Sequence, residues 1–102
     1  MGTGFQRVDL LAFDAADYLG SPEARADYMA AALEEGDASE IRRALNTVAR
    51  SLGMTAVAEE AGLGRESLYK ALGDNGNPEF VTVLKLMRAM GLKLSALPID
   101  EG

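Results

Sequence analysis

The chain contains no cysteine and no histidine. Without thiols there is no disulfide framework, no thiolate metal site and no cysteine nucleophile. Without imidazole, zinc sites of the usual ligand types, Ser-His-Asp and Cys-His catalysis, and histidine acid/base chemistry are excluded as well. The expectation is a protein that is not an enzyme, with no catalytic residues, no cofactor and no metal. Long apolar runs are also lacking: no stretch approaches the roughly 20 residues that cross a bilayer. The opening MGTGFQRVDLLAF has no basic region followed by a sustained apolar one. A soluble, cytoplasmic protein without a membrane partner is expected.

What is present suits one folded domain. A chain of 102 residues, 48% hydrophobic and 25% charged, is too apolar for disorder throughout and too short for two cores. The formal net charge of −6 is unevenly placed. Residues 1–36 carry two basic side chains against seven acidic ones, and residues 39–93 carry eight basic against six acidic. Such asymmetry suggests two surfaces for two partners, although an acidic front that merely keeps the chain soluble is the plainer alternative.

Punctuation marks five or six short helices. Asp14, with Asp17 behind it, offers a cap for a short helix over 15–19. Ser21 as N-cap, Pro22 at the first helical position, Glu23 in the first turn and Gly36 as terminator define the next, with Tyr28, Met29, Ala32 and Leu33 as its apolar stripe. Asp37 caps a third helix in a D-x-x-E box with Glu40, and Ile41, Leu45, Val48 and Leu52 form its buried face. Gly53 ends it, and Thr55 is expected to cap the fourth. After the loop GDNGNPEF, Asn77 as N-cap and Pro78 at the first helical position predict a last helix ended by Gly91, with Phe80, Val83, Leu84 and Met87 inward. LKLSALP alternates loosely, as a short strand or an extended tail on the core would, and FQRVDLLAF is the other place where β structure is conceivable.

The stretch MTAVAEEAGLGRESLYKAL carries the sharpest signal. Ala58 is small where two helices would cross, and Gly62, four residues on, permits the left-handed backbone that a tight turn demands. Val57, Ala61, Leu63, Leu68 and Leu72 then face inward, which leaves Arg65, Glu66, Tyr69 and Lys70 on the outer face of the second helix behind Gly64. That is the shape of a helix-turn-helix DNA reader, in which Arg65 could take guanine O6 and N7 bidentately. The alternative is a solvated arginine paired with Glu66 or Glu59. The candidate DNA-binding set is Thr55, Gly64, Arg65, Glu66, Tyr69, Lys70 and Asn77.

Arg42, Arg43, Arg50, Lys85 and Arg88 are secondary candidates for phosphate contact, with a solvated helix face as the simpler reading. Asn75, Gly76 and Asn77 present amides at a helix start, a natural phosphate seat, but no lysine follows to make a P-loop. Glu59 and Glu60, expected on the exposed side of the first helix of the pair, oppose phosphate binding. Weak binding by a monomer is expected, and a homodimer reading half-sites about 34 Å apart would supply the rest.

The phrases FDAADYL, EARADYMAAALEEGD, IRRALNTVARSLGMT, AEEAGLGRESLYKALG and GNPEFVTVLKLMRAMGLKL, in that order, resemble the antidote (antitoxin) proteins of addiction modules, the Xre-like helix-turn-helix group that partners RelE/ParE-type toxins. The resemblance covers roughly residues 12–97. It implies an all-α, lambda-repressor-like helix-turn-helix bundle of five or six short helices with an N-terminal helical extension. It divides the chain into an N-terminal segment (1–13), acidic helices that hold the toxin (14–36), a DNA-binding domain (37–97) and a tail (98–102). The toxin-holding role falls on approximately residues 8–35, and the GNP loop on Gly76, Asn77 and Pro78. Leu52, Glu59, Glu60 and Gly64 depart from residues frequent in the group. The implied function is neutralisation of a small basic toxin and autoregulation of the operon by binding double-stranded operator DNA. Two alternatives remain: a stand-alone repressor without a toxin partner, and an interaction domain that has lost DNA binding.

Overall fold

The computed structural model describes residues 19–99, which form five helices: α1 (Pro22–Glu35), α2 (Ala38–Leu52), α3 (Met54–Ala61), α4 (Arg65–Leu72) and α5 (Phe80–Ala89). None is long and apolar enough to cross a membrane. The expected helix over 15–19 lies outside the described residues except for Leu19, which is buried and not helical; FQRVDLLAF lies outside them altogether.

Local chemistry sets most boundaries. Ser21 Oγ accepts from the Ala24 amide at 3.1 Å, Pro22 opens α1, and Gly36 closes it. One carboxylate oxygen of Asp37 accepts from the Glu40 amide at 3.0 Å and starts α2. The reciprocal half of the capping box is not made, because the Glu40 carboxylate instead takes the Arg43 guanidinium at 2.6 Å. Gly53 ends α2 and at once begins α3, so Thr55 is an exposed residue inside the first turn of α3 and not its cap.

The last helix also starts later than the sequence predicts. Asn77 and Pro78 are in the loop, and Glu79, in extended backbone, is the N-cap of α5. Proline fixes φ but leaves ψ free, so it permits a helix start without imposing one. Beyond α5, the Leu92 amide donates to Met87 O at 2.8 Å and the Gly91 amide to Arg88 O at 3.0 Å, a glycine-closed end of Schellman type. Residues 92–99 make no strand. Leu92 and Leu94 rest half-buried on the core, and no second extended segment among the described residues offers them a ladder.

Two apolar stripes are rotated from their expected faces. On α5 the core takes Leu86, Met87 and Met90 with Val83 beside them, while Phe80 and Leu84 point outward; on α1, Met29 is buried but Leu33 is exposed. Both faces of α5 are apolar, so periodicity alone could not say which one the rest of the chain would cover.

Helix α3 is the hub, packed against α2, α4 and α5, and α1 lies along α2. A buried arginine fastens α1 to the far end of the chain. Arg25, only 9% exposed, donates from Nε to Met90 O at 3.2 Å and from Nη1 to Leu19 O at 3.1 Å. It thus binds a carbonyl at the C-terminus of α5, where a cation also suits the helix dipole. Replacing Arg25 with methionine keeps apolar volume but leaves two carbonyls without their donors. The expected cost is about 2–3 kcal/mol, read as a lower urea midpoint with an unchanged slope; an unshifted midpoint would show the clamp to be idle.

Candidate functional site

The exposed region from Thr55 to Lys70 is built from two eight-residue helices and the turn between them. Ala58 is buried, which lets α3 and α4 approach closely. Gly62 takes φ +73°, and the Leu63 amide reaches back to Ala58 O at 2.8 Å, so the chain turns out of α3 within three residues. A side chain with a Cβ is strained at that φ, so the glycine is required by the turn. Leu68, with 0% exposure, and Leu72 then anchor α4 against the core, and Leu63 packs half-buried beside them.

Opposite that anchor, Arg65, Glu66, Tyr69 and Lys70 are all exposed along one arc of α4. The Arg65 guanidinium lies 5.5 Å from the centre of the Tyr69 ring, one turn on, close enough for a cation–π contact. Arg65 is therefore not paired with Glu59 or Glu66; the one ion pair among the described residues is Arg43–Glu40. Gly64 precedes α4 in extended backbone, and no side chain caps that end. The first-turn amides of α4 thus lie behind a residue with no side chain to cover them. Thr55 on α3 and Asn77 in the loop before α5 are exposed, but on other elements.

The GNP loop is tightly constrained. The Gly76 amide donates to Gly73 O at 2.9 Å, and a Cβ at Gly76 would run into the Ala71 carbonyl. The loop folds back on the end of α4, so Gly76 serves close approach and not a left-handed φ.

Most charges around this surface are exposed as the sequence reading placed them, with Arg42 the exception. Glu60 is exposed and lines a shallow groove between α3 and α5 together with Lys85 and Arg88, without an ion pair to either. Glu59 is exposed. Arg43 and Arg50 are exposed, but Arg42 is half-buried, and its Nε finds no partner among the described residues. Sequence reasoning missed the clamp of Arg25, whose only signal was its place four residues before Met29, in line with the stripe. It also missed the outward apolar face of α5, where Phe80 is 69% and Val81 51% exposed beside Leu84.

Comparison with known proteins adds what geometry cannot. Residues 9–98 match the model of a family described as "Probable addiction module antidote protein". The chain belongs to this family. An uncharacterized protein of Haemophilus influenzae is 43% identical to it over 81 residues, which are 79% of this chain and 84% of that protein. No solved structure matches. Membership supports an antitoxin role and hence a toxin partner, and the match runs through both the acidic α1 and the α3–α4 pair.

Substituting Gly76 with alanine tests the loop geometry. Overpacking against the Ala71 carbonyl should cost about 1–3 kcal/mol in urea unfolding; a neutral effect would mean that the loop has room to open.

Proposed function

We propose that this antidote-family chain is the antitoxin of a type II toxin–antitoxin module, with a lambda-repressor-like helix-turn-helix of the Xre-like group. It neutralises a small basic toxin of RelE/ParE type and, as a homodimer, represses its own operon by binding a partly palindromic operator. The single observation that carries the DNA half is α4 itself: a short helix anchored by Leu68 and Leu72 that holds Arg65, Glu66, Tyr69 and Lys70 in solvent. Inserted N-terminus first into the major groove, it offers a forked cation to guanine and a phenol and an ammonium to bases or phosphates. Stacking on Tyr69 restrains the Arg65 fork before binding, which lowers the entropy lost on contact. Gly64 at the start of α4, Thr55 on α3 and Asn77 in the loop before α5 are the proposed backbone and side-chain donors to phosphate.

The toxin half is supported by the charge of α1. Its exposed ionic residues are Glu23, Asp27, Glu34 and Glu35, and its one arginine is turned inward. A cationic partner is steered to such a face. For the dimer, the outward stripe of Phe80, Val81 and Leu84 on α5 is the best candidate, because a large exposed aromatic beside two aliphatics favours burial against a second copy. The proposed boundaries are residues 14–36 for toxin binding and 37–97 for DNA.

Two outcomes follow. Arg65→Ala should weaken binding to the DNA upstream of the gene by about 10-fold or more, on the order of 1–3 kcal/mol, while toxin neutralisation in a growth assay stays intact. Equal operator affinity in a gel shift at low salt would remove α4 as the reader. Phe80→Glu should convert the dimer to a monomer in sedimentation and lower operator affinity by more than tenfold; an intact dimer would move the interface elsewhere.

A further inference from the structure

Helices α1 and α2 run back along each other after a two-residue link, Gly36–Asp37, and they do not close against one another along their whole length. Between them lies an open groove of about 620 Å³. Its α1 side is lined by Tyr28, Ala31 and Ala32 and its α2 side by Ala44 and Thr47. The groove exists because alanines stand where the two helices face each other: larger side chains there would fill it. The groove is open to solvent, and the alanine methyl groups along it make no demand for hydrogen bonds.

Arg43 and Glu40 pair on the α2 side and cancel, which leaves Glu35 as the unpaired charge among the lining residues. Glu35 lines the α1 side, and Asp27, two turns earlier on the same side of the helix as Ala31, is exposed outside the groove. No accessible cation stands on α1, because Arg25 is committed to Leu19 and Met90. An alanine-lined groove beside unpaired carboxylates fits a helix or strap that carries a large apolar side chain flanked by lysine or arginine. The chain's own exposed apolar tail, Leu97 and Ile99, is flanked by Pro98 and carries no such cations.

We infer that the α1–α2 groove is the seat of the toxin: an apolar anchor of the cationic partner enters over Ala31, Ala32 and Ala44 while its basic side chains meet Glu35 and Asp27. This rests on the toxin-binding half of the proposed function and moves it from residues 14–36 alone to one cleft that α2 shares. It also separates the two surfaces, since the lining includes no residue of α3, α4 or α5.

The test uses the full chain and, as probe, the purified product of the gene adjacent to its own. Ala31 is exposed, so Ala31→Trp can fill the groove without entering the core. Glu35→Lys reverses the unpaired charge. The expected result by titration calorimetry is at least a tenfold loss of toxin affinity for each variant, with operator binding within twofold of the parent and unchanged helical circular dichroism. Should Ala31→Trp lose helicity, Ala31→Gln serves as a smaller filler with the same expectation. Undiminished toxin affinity in the filled variant overturns the groove, whatever Glu35→Lys does, and leaves the broader antitoxin reading standing. Failure of the parent chain to bind the probe at all sinks that reading, and the groove with it.

Discussion

Burial of Leu68 and Leu72 beneath α4 is the contact on which the remainder of the molecule turns. An isolated eight-residue helix is marginal in water, because its nucleation cost is not repaid over so few hydrogen bonds. Removing a leucine side chain from water contributes about 2 kcal/mol, and two such anchors one turn apart fix both the existence of α4 and its rotation. With that rotation set, Arg65, Glu66, Tyr69 and Lys70 have nowhere to go but outward. Gly62 makes the same constraint possible from the other side, since only a turn this short delivers α4 onto the core while α3 stays packed. The Gly76 turn closes the other end of α4 against Ala71.

The fold also sorts charge. Turning Arg25 inward does two things at once: it stitches α1 to the C-terminus of α5 and strips α1 of its only cation. The face left behind is wholly acidic. On α3, Glu60 shares a shallow groove with Lys85 and Arg88, so cations stand near one of the carboxylates that oppose phosphate binding. Net acidity is therefore compatible with the DNA-reading role proposed for α4, because acidic side chains are concentrated on α1. Membership of the antidote family supports a toxin partner.

Much of this was legible in the sequence wherever backbone chemistry is local. Ser21, Pro22, Asp37 and the glycines at 36, 53, 62 and 91 act through their own dihedrals and nearest amides, and the structure uses them at or within a residue of the expected positions. What was not legible depends on neighbours distant in sequence. Thr55 looks like a cap until Gly53 is seen to start α3 directly; Asn77 and Pro78 look like a helix start until Glu79 is seen extended. Phe80, Leu84 and Leu33 were assigned inward because they fit a period, yet the core chose the other apolar stripe of α5 and a narrower one of α1. Of the two readings open for LKLSALP, the structure has the extended tail on the core and not the strand, because pairing needs a partner that 92–99 does not find among the described residues. On the candidate site, the exposure of the four α4 residues was foreseen, whereas the Arg65–Tyr69 stack and the α1–α2 groove arise from side-chain placement that no pattern encodes.

The most direct measurement is an amide NMR titration of the full chain with a duplex of its upstream DNA at low salt. The shifts are expected to concentrate at residues 64–70, with smaller ones at Thr55 and in the loop around Asn77, and to fade steeply as salt is raised. Shifts confined to α1 and α2, or none at all at saturating duplex, would contradict the assignment of α4 as the surface that reads DNA.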